Sequence, residues 1–526
     1  MRDYTRTGIG SIGALVLALL FAWPVANYAQ EPANSGAALQ SSAQNADLAK
    51  VLAELRKLRN ELSELHVEVD QLRAQQRISE LESAELKKEL IAAKDQVAAP
   101  DANKAGAIAS SPENADVVER VARLEENQQM ADQKLAVHDQ TKVESGSKYR
   151  LRLSGILLFN LFGNVGAVDN IDFPQLAEPK QFLFNDHSLG GSVRQSQIGL
   201  QAFGPDVAGA RTSADLQFDF AGGFPDVPNG TSFGIMRLRT ATVRFDWTNT
   251  SVVGGQDTLF FAPLAPTSIA TIATPPLSYS GNLWSWTPQV RIEHTVTLSD
   301  STRLKFQGGI LDPWSGDFPD STYSRASTWG ENSGVPAIAG RVAWTQKIGP
   351  QDFTLGAGGY FSRQDWGFQR SVDSWVSSLD LTMPLGNRFE FTGQFYRGRA
   401  LGGVAGGIGQ SVLWNGSLGD PTVAVHGLDA IGGWAQFKYK TTSKLQFNSA
   451  FGLDNPFAYQ LRNFGGNLSA FFGERYSRNQ SGFVNFIYQP HSDLLFSFEY
   501  RRLWTFQLDQ PYKTANQLNL SIGYIF

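Results

Sequence analysis

Residues able to do bond chemistry are few and scattered. His66, His138, His187, His294, His426 and His491 stand singly, without the spacing that lets two imidazoles share a metal. Cysteine is absent, which removes thiolate ligands, disulfides and a lipid-modified N-terminal cysteine. Neither H-E-x-x-H nor G-x-S-x-G occurs. The glycine run at 402–409 (GGVAGGIG) lacks the lysine and the strand–loop–helix setting of a phosphate cradle, and reads as a mobile external loop. The sequence therefore points away from an enzyme, a metal and a cofactor. The net charge of −5 also argues against a nucleic-acid partner.

What keeps chemical capacity is a set of charges recurring at every second residue. Arg150 and Arg152 alternate with Tyr149, Leu151 and Leu153; Asp215 and Asp219 alternate with Leu216, Phe218 and Phe220. The same parity puts Arg211, Arg291, Arg303, Lys305, Arg341, Arg388 and Lys438 on a polar face, together with Glu293, Asp380, Glu390 and Glu499. Arg239 and Arg244 have opposite parity, so only one shares that face unless a bulge intervenes. Ala241, Val243 and Phe245 as the apolar side favour Arg244. Charges lining the polar side of a closed sheet would act by field and size, the chemistry of a water-filled pore.

The elements that must position them are strands. Near Lys148 the hydrophobic period changes from 3.5 residues to two. Strands are expected at 148–165, 191–203, 210–222, 234–247, 250–257, 288–298, 302–312, 338–348, 351–363, 371–383, 387–399, 428–440, 443–454, 475–489, 492–508 and 512–526. Links after the second, fourth and later alternate strands are tight, such as Thr248–Asn249 and Gly349–Pro350, and those between are mostly long. Such alternation puts all short turns on one rim. It predicts an antiparallel 16-stranded transmembrane β-barrel over 148–526, with short turns on the periplasmic side. Phe203, Trp247, Phe353, Phe389, Tyr439 and Tyr488 cluster beside the turns, as an interfacial girdle would. Phe526, ending an alternating strand, fits a barrel-assembly signal.

The chain ahead of the barrel is different in kind. Arg2 and Arg6 precede an apolar run over 9–23 and Pro24, the layout of a signal peptide over 1–29. A flexible segment, 30–47, would follow. Leu48, Val51, Leu55, Leu58, Leu62, Leu65, Val69 and Leu72 form heptads, giving a coiled coil over 48–97. Residues 98–114 read as a linker, and a weaker heptad pattern over 115–142 as a second short coiled coil. A two-in-seven stripe cannot bury itself alone, so self-association is expected.

Segment 195–204 (QSQIGLQAFG) resembles the porin strand S-R-[LI]-G-F-x-G, with Gln197 where Arg is common. Segment 238–257 (LRTATVRFDWTNTSVVGGQD) is similar to a porin strand pair, and 258–287 then stands where the third loop of porins folds into the lumen. With a coiled coil ahead of 16 strands, the whole resembles the DcaP-like trimeric outer-membrane porins. The resemblance implies an outer-membrane homotrimer in contact with lipid, admitting small, often anionic, organic solutes, and it favours Arg239 as the lumen residue. That third loop carries no charge and offers Phe260, Phe261, Tyr279, Trp284 and Trp286 to a constriction. Without acidic residues there, the basic wall stands unopposed, so passive diffusion with a mild anion preference is expected. A stalk contacting the cell wall and chiefly tethering the membrane is an alternative. So are sugar selectivity, from the aromatic run, and phosphate selectivity.

Overall fold

The described residues of the computed structural model are 150–180, 186–224, 234–316, 325–464 and 476–526. The expected signal peptide, coiled coils and linker lie outside them.

β1 is Leu151–Val165, and β2 is broken into His187–Ser192 and Gln197–Val207. Then come β3 (Ala210–Asp219), β4 (Arg237–Asp246), β5 (Thr250–Thr258) and β6 (Trp286–Ser299). β7 (Thr302–Leu311), β8 (Ala337–Ile348), β9 (Gln351–Asp365), β10 (Ser371–Leu385) and β11 (Phe389–Arg399) continue the wall. β12 (Asp429–Lys440), β13 (Leu445–Pro456), β14 (Tyr476–His491), β15 (Leu494–Gln507) and β16 (Lys513–Ile525) complete it. Both halves of β2 pair with β1, so the sheet's 17 strand segments form sixteen staves. Each stave pairs antiparallel with its chain neighbours. β16 returns to β1 in register from Ile156↔Ile525 to Val165↔Asn516, and Gly155 and Phe526 exchange backbone hydrogen bonds. The barrel is closed, so no long edge is left unpaired.

Exposure separates the two faces. On β16, Leu518 and Tyr524 are each 51% exposed, whereas Gln517, Asn519 and Ser521 are each 1% exposed. The apolar parity therefore points outward and the polar parity into the lumen. Short turns gather on one rim. In the β2–β3 turn Ala208 and Gly209 both have positive φ, 50° and 77°, as a two-residue turn needs to match strand twist.

Two local expectations change. Phe203 pairs with Ser213, which shares the parity of Asp215, so its ring leaves the outer girdle that Trp247, Phe389 and Tyr488 keep. β2 breaks at 193–196 because Ser196 turns in to bond Leu158, its Oγ accepting from the Leu158 N–H at 2.9 Å.

Candidate functional site: the lumen wall and the segment that crosses it

Between β5 and β6 the chain does not run outside the barrel. Residues 259–285 fold into it, and Leu259, Phe260, Phe261 and Leu283 are 4% exposed or less. They pack with Tyr360, Val376, Tyr396, Leu401 and Val404, and Phe261 stacks on Tyr360 with centroids 5.3 Å apart. Burying one such phenylalanine stabilises by roughly 1.5–3 kcal/mol. Phe260 and Phe261 thus anchor the crossing segment rather than edge a passage.

A crossing segment without regular structure must have its backbone groups satisfied by the wall. Gln195 Nε2 donates to Ala270 O at 2.8 Å, and its Oε1 accepts from the N–H groups of Ile272 and Ala273. Gln197 Nε2 reaches Ile272 O, Asn160 Nδ2 reaches Ile269 O, and Asn485 Nδ2 reaches Thr267 O. Asn479 Nδ2 donates to Tyr279 O at 2.9 Å, and Gln436 Oε1 accepts from the Thr267 N–H. At 277–281 the segment touches wall backbone. Gly281 has φ +94°, and a Cβ there would lie 2.2 Å from Gly433 O, so only glycine fits.

The opposite arc of wall is ionic. Arg237 and Arg239 share one carboxylate, Asp219, at 2.6 and 2.8 Å, and both guanidiniums lie over the Trp286 ring, 4.8 and 4.4 Å from its centroid. Arg291 pairs with Asp257 and Glu293, Lys305 with Glu293, and Arg341 with Asp380. Arg244 pairs with Asp246 at 2.7 Å. Lys438 and Lys440 share Glu390, and Arg303 meets Asp352. The wall is therefore not the unopposed basic surface that an uncharged loop suggests: its neutralising carboxylates sit on the same strands or on strands nearby. A basic surplus persists, because Asp219 and Glu390 each serve two cations.

The parity conflict between Arg239 and Arg244 resolves through a bulge. Gln217 pairs with Thr240 and Phe218 with Leu238, so Arg239 is the extra residue, and both arginines lie on the lumen side. Arg237, Asp246 and Asp257 belong to the same ionic arc and were missed by the sequence reading. Asp215 lies on the lumen side opposite Thr242. Arg150, Arg152, Arg211 and Arg388 are exposed at the short-turn rim and form no ion pair among the described residues.

The 402–409 run is no mobile external loop. It turns inward, with Val404 and Ile408 4% and 0% exposed; the Ile408 N–H donates to Asp454, and that of Gly407 to the Tyr396 hydroxyl. Between this run and the crossing segment lies a cavity of ≈ 420 Å³, lined among others by Arg237, Tyr279, Trp284, Trp286 and Trp314. The indole N–H groups of Trp284 and Trp314 are shielded there and have no partner among the described residues.

No family model matches the sequence, and no curated protein matches it. Among solved structures the fold is similar to the outer membrane channel DcaP of Acinetobacter baumannii. The TM-score is 0.55 at 16% identity, over 72% of this chain and 99% of that one. An anion-selective porin from Comamonas acidovorans aligns with TM-score 0.44 at 11% identity, over 72% of this chain and all of that one (100%). The expected likeness to a DcaP-like porin barrel is thus found, as a likeness of fold.

Proposed function

We propose that this chain is an outer-membrane porin, a homotrimeric passive channel for small hydrophilic solutes with a mild preference for anions. The observation that carries the charge preference is Asp219 held between Arg237 and Arg239, one carboxylate against two guanidiniums beside a crossing segment that has no charge of its own. Solutes would pass the ionic arc, with Arg239, Arg244, Arg291, Arg303, Lys305, Arg341 and Lys438 among the lining residues. Arg150, Arg152, Arg211 and Arg388 would line the short-turn mouth, and Asp215, Asp219 and Glu293 would temper the field. The polar lumen and apolar exterior support the membrane reading, since a soluble barrel has no reason to invert its faces. In this reading 1–29 is the export signal, and the coiled coils of 48–97 and 115–142 form a periplasmic stalk that steadies the trimer and touches the cell wall.

Reversal potential across a salt gradient in a planar bilayer tests the proposal, and clear cation selectivity would sink it. Sugar uptake is a second reading, favoured by the rings of Tyr279, Trp284, Trp286 and Trp314 around one cavity. Liposome swelling over sugars, dicarboxylates and phosphate separates these readings. Phosphate selectivity is less favoured, because most wall cations already have carboxylate partners. Deleting 45–142 isolates the tether: wall association should fall while conductance survives.

A further inference from the structure

The outer wall should be apolar, yet two guanidiniums stand on it without a counter-charge among the described residues. Arg478 on β14 and Arg502 on β15 have the outward parity: Arg502 lies between Arg501 and Leu503, both 1% exposed or less, and is itself exposed. Among the described residues neither forms an ion pair, and Arg478 Nε is shielded with no hydrogen-bond partner. Other outward arginines near the long-loop rim are matched: Arg363 by Asp373, and Arg397 and Arg399 by Asp429.

Their level on the wall can be read from their neighbours. On β16 the outward row is Tyr524, Ile522, Leu520 and Leu518, and then turns polar at Asn516, which pairs with Arg502. Just beyond come Trp504, Phe506 and Tyr512, the last two stacked at 5.3 Å. Aromatic rings directly above an apolar band mark an interface between hydrocarbon and headgroups. Arg478 lies over the Phe506 ring at 3.9 Å and Arg502 over the Trp504 ring at 5.2 Å. Stacking occupies the flat faces of both guanidiniums; the shielded Nε of Arg478 leaves its terminal nitrogens, and Arg502 its exposed edge, to grip phosphate. Gly482 pairs with Arg502 and Phe506 with Arg478, so the two positions are four residues apart along the wall, on the order of 14 Å.

We infer that the external half of β14–β16 binds the phosphate-bearing headgroup of an anionic lipid, with Arg478 and Arg502 as its ligands. The inference rests on the outer-membrane reading above. A second copy of the chain fits less well, because the outward carboxylates at this rim, Asp373 and Asp429, are already paired with their own arginines.

The test uses the full chain in detergent, with bisphosphorylated lipid A as probe and native mass spectrometry as readout. Lipid A should stay bound through the spray, its dephosphorylated form should not, and excess inorganic phosphate should fail to displace it. The double variant Arg478→Gln/Arg502→Gln should lose retention by about tenfold, as expected when charge-assisted bonds to phosphate are removed. Arg478→Lys/Arg502→Lys should recover part of it. Equal retention by wild type and the Gln variant overturns the inference, as does equal retention of the dephosphorylated lipid. Dissociation of the oligomer on substitution, without lipid present, would assign the patch to a second copy instead. Conductance in planar bilayers keeps the two claims apart: a chain that conducts but ignores lipid A overturns this site alone, whereas one that never inserts overturns the membrane reading beneath it.

Discussion

The lumen wall has two arcs of opposite character built on the same parity. Along β12 to β16 and on through β1 and β2, the inward residues are mostly amides: Gln436, Asn448, Asn485, Asn479, Asn519, Asn160 and Gln195, all 5% exposed or less. From β3 to the short-turn end of β12, where Lys438 and Lys440 meet Glu390, they are mostly ion pairs, and several members stay wet: the Arg244 side chain is 36% exposed and that of Lys305 40%. An amide both donates and accepts, so it can satisfy the N–H and C=O groups of an irregular segment without stranding a charge. A carboxylate or guanidinium pressed against that backbone would have to shed its water, and burial of an imperfectly paired charge is expensive. The difference teaches a division of labour by degree: the neutral arc makes most of the bonds to the crossing segment, Arg237 and Arg239 add bonds to Ala273 O and Ile272 O, and the wetter charges face whatever passes.

The strongest way to break this division lies at its exception. Glu499 and Arg501 are a pair 2.8 Å apart within the amide arc, each 1% exposed. Ser268 Oγ donates to Glu499, and Arg501 donates to Thr271 Oγ1. Glu499→Leu would leave Arg501 buried without a counter-charge, a loss of about 3–5 kcal/mol. Thermal unfolding in detergent should show a large drop, and surviving channels should be wider and noisier. The double change Glu499→Gln/Arg501→Gln should lose much less. Equal losses in both would mean that the pair pins nothing.

A smaller step weakens the grip without creating a charge. Gln195 makes three bonds to the crossing segment, to Ala270 O, Ile272 N and Ala273 N. At about 1 kcal/mol each, Gln195→Leu should cost roughly 2–3 kcal/mol of closure. Single-channel traces should then show a higher, fluctuating conductance, and protease should gain access to 264–274. An unchanged trace would show that the apolar anchor around Phe261 holds the segment by itself.

The division of the wall was only half legible beforehand. Period-two alternation is a local property, so the staves and the parity of Arg291, Arg341 and Lys438 could be read directly from the sequence. The inward place of both Arg239 and Arg244 could not, because the bulge belongs to the pairing of β4 with β3 rather than to β4. Nor could the seat of 402–409: a glycine-rich run suits a mobile loop and a tightly turned one equally. What decides is contact with Tyr396 and Asp454, whose hydroxyl and carboxylate meet the Gly407 and Ile408 N–H groups. Most of the ion pairs stayed hidden for a related reason, since pairs such as Arg341–Asp380 and Lys438–Glu390 join residues far apart in sequence.

On the charged arc the triad around Asp219 permits a test of sign. Asp219→Asn would leave Arg237 and Arg239 unneutralised and should raise the anion-to-cation permeability ratio; Arg239→Gln should lower it, each by about twofold for one charge at a narrow site. Reversal potentials moving the same way in both variants would contradict a field set at this triad.

The smallest effect expected comes from acid, at the edge of the cavity. Asp312 follows β7 in a loop whose next residues, Pro313 and Ser315, are buried beside Trp314 and Gly316. Burial, helped by the nearby charge of Glu331 and opposed by Arg325, pushes its carboxyl up to about 6. A carboxyl raised in the packed state favours the protonated form there. The packed loop therefore gains stability as pH falls through about 6 and keeps it below the ordinary carboxylate range, whereas above 6 that contribution is lost. Channel recordings from pH 8 to pH 5 should accordingly show fewer opening fluctuations at the acid end, and Asp312→Asn should flatten the profile near its acid limit. The grip of Gln195 contains no titrating group and should not follow this curve. A pH response that survives in Asp312→Asn but vanishes in Gln195→Leu would reverse the roles assigned to the two arcs.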